Sequence, residues 1–156
     1  TLIDGEMKFR MNNDWGINYG DDGADGTLEL NGSNIVVTAG IYFATVNMKD
    51  LTYTLEPVTH VWGIVGGAYN DWGATADAQF KRDWSKPFND VWVLDSVTLI
   101  DGEYKFRSNN DWGTNYGDDG ADGVLELNGS NLNTTAGTYS FVLDFSDPDA
   151  PTYTKS

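Results

Sequence analysis

Internal repetition is the feature that most constrains what this chain can fold into. The segment Met7–Gly16, MKFRMNNDWG, recurs as Tyr104–Gly113, YKFRSNNDWG, 97 positions later. The segment Asn18–Gly26 returns unchanged as Asn115–Gly123 at the same spacing. Self-similarity at a fixed long period indicates a chain built from repeated modules.

The two copies of the repeat differ in extent. The second copy runs from near Val58 to Ser156, whereas the first lacks counterparts of residues 60–97. The sequence therefore predicts a complete module at residues 57–156. Residues 1–56 are predicted to be the carboxy-terminal half of another module, whose start would lie before Thr1. Half a module exposes an apolar sheet face and an unpaired edge, so we expect strands from upstream sequence or from another chain to complete it.

Short alternating segments predict an all-β fold. Long helical patterns are missing, and 18 glycines with only 4 prolines indicate many turns. In residues 103–108, Tyr104 and Phe106 lie on one face of a predicted strand and Lys105 and Arg107 on the other. Residues 79–82 form a candidate edge strand. Seven or eight such strands in the complete copy favour a β-sandwich.

Composition narrows the classes of partner. The formal net charge of −15 repels phosphate backbones and anionic membrane surfaces, so nucleic acid is set aside. The same charge is compatible with a neutral ligand such as a sugar, or simply with solubility. The absence of cysteine excludes disulfides and thiolate metal sites. No apolar run is long enough to span a membrane, and no signal peptide is present.

Several motifs, taken together, resemble the carbohydrate-binding modules of the outer-membrane lipoproteins SusE and SusF of Bacteroidetes. They are Gly63–Gly67, Asp71–Gly73, Asp101–Arg107, Asn110–Trp112 and Ala136–Tyr139. The resemblance covers residues 58–156 and the matching part of 1–56. It implies immunoglobulin-like β-sandwich modules in tandem, displayed at the cell surface, that bind starch or maltooligosaccharides without cleaving them. The lipidated amino terminus expected of that family is not in this segment.

The resemblance also implies a set of ligand-binding residues. Aromatic side chains cover the apolar face of a sugar ring, and charged or amide groups bind its rim of hydroxyls. In the second copy the set is Trp72, Lys105, Arg107, Asn110 and Trp112; in the first it is Lys8, Arg10, Asn13 and Trp15. The first copy has no counterpart of Trp72. The alternative is that the loop tryptophans plug one end of the sandwich and the cations pair with carboxylates.

Three other tryptophans lie outside this set. Trp62 and Trp92 fall within predicted strands, so we expect them in the core. Trp84 is assigned to neither role.

An acidic, glycine-bearing segment occurs in both copies. Its carboxylates are Asp118, Asp119 and Asp122, matched by Asp21, Asp22 and Asp25. Calcium takes six to eight oxygen ligands, but the closing glutamate of the specific calcium-loop pattern is absent. We favour a turn whose aspartates accept hydrogen bonds from nearby backbone amides, with calcium as the alternative and no other cofactor.

The predicted function is non-catalytic binding of a polysaccharide or oligosaccharide at the bacterial outer-membrane surface. His60 is the single histidine, and no nucleophile–base set or phosphate-binding loop accompanies it, so we predict no enzyme activity. The alternative function is structural. A head-to-tail extracellular fibre or array would form if each subunit completed its neighbour's half module by donating strands.

Overall fold

A computed structural model describes residues 1–87 and 90–156. The described chain is all-β, without helix, and its strands form several antiparallel sheets. No helix long and apolar enough to cross a membrane occurs in these residues. The chain divides into two compact units, Thr1–Thr59 and His60–Ser156, called unit 1 and unit 2.

Unit 2 contains ten strands in its described residues. Their bounds are β8 Trp62–Val65, β9 Ala78–Gln79, β10 Lys81–Arg82, β11 Val91–Leu99, β12 Gly102–Ser108, β13 Asn115–Gly117, β14 Glu126–Leu127, β15 Leu132–Thr134, β16 Gly137–Asp144 and β17 Thr152–Lys155. One sheet has the order β14-β13-β12-β8-β9, with β15 also pairing β12, and the other has the order β10-β11-β16-β17. Two antiparallel sheets with buried side chains between them make this unit sandwich-like.

The core of unit 2 lies where β12 and β16 contribute alternating aromatic and aliphatic side chains. Tyr104 and Phe106 of β12 and Phe141 of β16 are almost fully buried, with ring centroids 5.7–6.0 Å apart. Such edge-to-face contacts stabilise a core beyond the area they bury. Trp62 and Trp92 are buried, as predicted, whereas Trp84 is exposed with the Arg82 guanidinium 4.6 Å from its ring centroid.

The predicted edge strand at residues 79–82 is two strands. β9 pairs with β8 in one sheet, and β10 pairs with β11 in the other. Phe80 lies between them and is buried. The chain therefore crosses from one sheet to the other at Phe80, because that side chain packs against Phe106 in the core, 5.9 Å between centroids.

Strand β13 was not predicted, because Asn115–Gly117 belongs to a polar, glycine-rich stretch. The structure forms a strand there through close backbone packing. A Cβ atom at Gly117 would lie 2.0 Å from the carbonyl oxygen of Ser130, so only glycine fits. The same contact occurs in unit 1 between Gly20 and Ser33, at 1.9 Å.

Unit 1 contains counterparts of the strands from β12 onward. Its strands are β1 Gly5–Met7, β2 Phe9–Arg10, β3 Asn18–Gly20, β4 Glu29–Leu30, β5 Ile35–Val37, β6 Tyr42–Asn47 and β7 Thr52–Pro57. They form three small sheets, β1-β5, β2-β3-β4 and β6-β7. The counterpart of β12 is divided in unit 1 into two strands, β1 and β2, which lie in separate sheets.

Candidate functional site

The candidate site in unit 2 begins with a loop that follows β8. Asn70 organises this loop from a buried position. Its Oδ1 accepts hydrogen bonds from the backbone amides of Gly66 and Gly73, at 3.1 and 3.2 Å. Its Nδ2 donates to the carbonyl of Thr75 and to Asp77, each at 2.9 Å. One amide side chain thus holds both ends of the loop that carries Trp72.

The backbone at Trp72 adopts a conformation that L residues rarely adopt. Its φ is 59°, and Asp71 before it has a φ of 50°. A bulky residue in the left-handed region is strained, and such strain is found where a side chain must point in a particular direction. Gly73 follows with a φ of 105°, and a Cβ atom there would lie 2.8 Å from an Arg107 guanidinium nitrogen.

Arg107 is paired, not displayed on the surface. Its Nε and Nη2 donate to the two carboxylate oxygens of Asp77 at 2.6 and 2.8 Å. Arg107 is only 4% exposed and Asp77 is also buried. Buried charges persist only when they are paired, and a two-pronged arginine–carboxylate pair is among the strongest such contacts.

The second loop, residues 108–114, lies against the first. Asn110 accepts a hydrogen bond through its Oδ1 from the backbone amide of Asp77, at 2.8 Å. The ring centroid of Trp112 lies 4.7 Å from the Arg107 guanidinium carbon and 6.1 Å from the ring centroid of Trp72. Trp112 is 43% exposed and Trp72 is half-buried, so the two indoles form a partly exposed pair above a buried ion pair.

The structure therefore brings together Trp72, Arg107, Asn110 and Trp112 of the predicted set. It adds Asp77 and Asn70, which no sequence motif indicated. A buried arginine requires a carboxylate, but the chain has 24 acidic residues, and nothing in the local pattern distinguishes Asp77 among them.

Lys105 has a different environment from Arg107. It is buried, and burial lowers its pKa, an effect that the charge of Asp119 partly opposes. Lys8 likewise acts on Asp22, the counterpart of Asp119 in unit 1. Both lysines are thus associated with the acidic turns, and no described contact joins them to the indoles.

In unit 1 the matching residues form a simpler cluster. The Arg10 guanidinium carbon lies 4.7 Å from the ring centroid of Trp15, the same distance as in unit 2. The partner of Arg10 is the Oδ1 of Asn13, to which it donates a hydrogen bond. Arg10 is exposed and Trp15 is 61% exposed, so this cluster is open to solvent.

The acidic turns are closed by hydrogen bonds from within the chain. In unit 2, Asp118 accepts from the backbone amides of Gly120, Asp122 and Gly123, at 3.0–3.2 Å. Asp119 accepts from the backbone amide and hydroxyl of Ser130, and these bonds lower its pKa.

The acidic turn of unit 1 repeats this arrangement around Asp21 and Asp22. Across residues 1–87 and 90–156, no three histidine, cysteine, aspartate or glutamate side chains are grouped to hold a metal ion. The calcium alternative for Asp118, Asp119, Asp122, Asp21, Asp22 and Asp25 therefore gains no support from a ligand cluster in the described part of the chain.

Comparison with models of known protein families found no match for this chain. Comparison with curated proteins found no similar sequence.

Proposed function

We propose that unit 2 binds a glycan through the Trp72–Trp112 pair and does not cleave it. The observation that carries this proposal is the approach of two partly exposed indoles that are 40 residues apart in the sequence. Sugar rings present C–H faces that pack well on indole surfaces. A pair inclined by 35° offers a shallow, bent surface suited to consecutive sugar units.

The buried groups beneath the indoles support a binding role. Arg107 is buried and Trp112 is exposed, so the cation lies on the protein side of the ring and leaves the outer face for a ligand. Asp77 binds Arg107 of β12 through its carboxylate and Asn110 of the second loop through its backbone amide, which fixes the first loop against the second. Preorganised aromatic side chains lose little entropy on binding. Arg107 thus acts as a positioning residue for Trp112.

The same contacts support binding over hydrolysis. Glycoside hydrolysis uses two carboxyl groups on either side of the scissile bond. Both oxygens of Asp77 already accept hydrogen bonds, from Arg107 and Asn70, and the residue is buried. The Asp77 carboxylate therefore stabilises the loop structure and does not have the position of a hydrolytic carboxyl group.

The wider assignment rests on the sequence resemblance. We propose that unit 2 is an immunoglobulin-like module of the SusE and SusF kind, one of a tandem series at a bacterial outer-membrane surface. Starch or a maltooligosaccharide is then the expected ligand. The antiparallel sheets of unit 2 and the loop position of both indoles support this assignment.

Affinity electrophoresis in gels containing amylose, and then a panel of other neutral glycans, tests the proposal. We expect amylose to retard the wild-type chain, and Trp72→Ala or Trp112→Ala to weaken binding by about tenfold or more. Trp84→Ala is the matched control. It removes an exposed indole beside an arginine, Arg82, outside the predicted ligand-binding set. Migration of the wild type unaffected by every glycan would overturn the proposal.

A further inference from the structure

Unit 1 contains an apolar groove, called here the unit 1 groove. It has a volume of about 250 Å³ and is lined by Phe9, Arg10, Met11, Tyr19, Val46 and Met48. These residues come from β2, from β3 and from β6 with its following turn. Met11, Val46 and Met48 are large apolar side chains that are exposed.

The equivalent surface of unit 2 is covered by strand β8. Trp62 of β8 stacks on Phe145 at 4.6 Å between centroids, and meets Tyr116 edge-on at 5.6 Å. Phe145 and Tyr116 correspond to Met48 and Tyr19 of the unit 1 groove at the repeat spacing. The groove in unit 1 therefore has the position of the surface on which the Trp62 indole packs in unit 2.

Matched residues differ in burial because unit 1 has no described counterpart of β8 or of β11, whose Trp92 is opposite Leu143 in unit 2. Leu143 is fully buried in unit 2, whereas its counterpart Val46 is 37% exposed. Phe106 is fully buried, whereas its counterpart Phe9 is half-buried. Positions that are buried in unit 2 are therefore partly exposed to solvent in unit 1, although their side chains are still apolar.

The edge of β2 beside the groove also pairs with no described strand. In unit 2, β12 pairs with β13 on one side and with β8 on the other. In unit 1, the counterpart β2 pairs with β3, and the described pairings place no strand on its other side. Free backbone amides and carbonyls beside an apolar groove are the two elements of recognition by strand addition.

Arg10 and Asn13 indicate a second group that a bound segment would supply, an aspartate after the strand. In unit 2 both counterparts, Arg107 and Asn110, bind Asp77, which follows β8 in the sequence. In unit 1, Arg10 and Asn13 bind each other at the surface. An aspartate at the position of Asp77 would therefore find Arg10 as the donor to its carboxylate and Asn13 Oδ1 as the acceptor for its backbone amide.

We propose that the unit 1 groove binds an extended polypeptide segment of the β8 type, from a further copy of this repeat whose β8-like strand is unpaired. The segment pairs antiparallel to residues 8–11 in the register that β8 has with β12. That register places an indole opposite Met11, a glycine opposite Arg10 and aliphatic residues opposite Phe9 and Lys8. An aspartate that follows the strand pairs with Arg10.

A β8-type strand accounts for the groove better than an intact second copy of this chain. The β8 strand of each copy already pairs with its own β12, so a second copy could donate it only by opening unit 2. Opening would expose Ile64 and Val65, which are fully buried. The occupant is therefore a segment with a free strand.

The test titrates a fluorescein-labelled peptide with the sequence of residues 60–83 into the full chain and follows anisotropy. We expect saturable binding that Val46→Lys weakens by about tenfold or more, because a lysine in the groove opposes burial of the indole. The same loss is expected for a peptide with Trp62→Ala. Val36→Lys is the matched control, since Val36 on β5 is exposed and does not line the groove.

Two outcomes would overturn the proposal. Equal binding to the wild type and to Val46→Lys would place the peptide elsewhere, for example in exchange with β8 in unit 2. A chain that is dimeric without peptide and becomes monomeric with Val46→Lys would identify a second copy as the occupant. Neither result bears on glycan binding, which concerns unit 2.

Hydrogen exchange provides a readout that does not depend on peptide solubility. A second copy of the sequence of residues 60–99 is fused ahead of Thr1 through a flexible linker. We expect exchange at the backbone amides of Lys8 and Arg10 to slow by about tenfold or more as this strand edge becomes paired, whereas the Met11 amide already donates to the carbonyl of Ile17. Unchanged exchange in the fusion would contradict the proposed register.

Discussion

The ion pair between Arg107 and Asp77 offers the most direct test of the site geometry. Replacing Asp77 with leucine removes both acceptors of the guanidinium, which donates to them at 2.6 and 2.8 Å. Arg107 is 4% exposed, so water cannot replace the lost partner without opening the loops. The variant therefore contains an uncompensated buried charge.

The expected cost follows from that burial. Removing one partner of a buried ion pair destabilises a protein by about 3–5 kcal/mol. For a unit the size of His60–Ser156, each 1 kcal/mol lowers the melting temperature by roughly 4–8 °C. We expect the melting temperature of unit 2 to fall by about 12 °C or more. Tryptophan fluorescence during urea or thermal unfolding reports on this unit, because five of the six tryptophans lie in it.

A double variant separates lost charge pairing from lost packing. Replacing both partners, Asp77→Leu with Arg107→Met, removes the unpaired charge and should recover most of the lost stability. Arg10→Met in unit 1 is the matched control for the arginine, and because Arg10 is exposed we expect a change of less than about 1 kcal/mol. If the double variant is as unstable as Asp77→Leu alone, the reasoning from an uncompensated charge is wrong.

Three further predictions concern matched positions and titrating groups. Leu143→Ala should lower the free energy of unfolding by about 2–5 kcal/mol because Leu143 is fully buried. Val46→Ala, at the equivalent exposed position, should lower it by less than about 1 kcal/mol. Urea unfolding of both variants measures the difference. The hydrogen bonds from Ser130 hold the pKa of Asp119 below its ordinary value. The contribution of Asp119 to stability is therefore present above about pH 3.8 and is lost as pH falls through the lowered pKa. In a carboxyl NMR titration Ser130→Ala should raise that pKa, and an unchanged pKa would contradict this cause. Burial, and then a hydrogen bond to Asp21, raises the pKa of Tyr53 to about 12. The contribution of Tyr53 to stability is therefore present below about pH 10 and is lost as pH rises toward 12. The difference between the ultraviolet titrations of the wild type and of Tyr53→Phe should show one phenol that titrates late.

Local sequence was enough to predict the repeated strand and loop. In both units the aspartate before the loop glycine accepts a 2.7 Å hydrogen bond from that glycine's amide, in Asp14–Gly16 and Asp111–Gly113. In both units the arginine lies 4.7 Å from the indole centroid, although only Arg107 is buried. Contacts between residues within about seven positions of each other depend on the local sequence, so the repeated sequence forms them in both units.

Longer-range features could not be predicted in the same way. Alternation placed Arg107 opposite Phe106 on its strand, but it did not indicate that the loop after β8 covers Arg107. The choice of Asp77 as its partner depends on the close packing of Gly63, where a Cβ atom would lie 2.6 Å from the Asp77 Cβ. Sequence patterns do not encode such approaches.

The sequence by itself determined the all-β class, the repeat and the indole-tipped loops, because alternation and turn residues act over a few positions. Only the tertiary structure decided that Trp72 approaches Trp112 and that Arg107 is buried against Asp77, while Arg10 stays exposed. The physical reason is that burial of a charge depends on which distant segment packs over it. Strand β8 and its loop supply that cover in unit 2, and no described strand supplies it in unit 1.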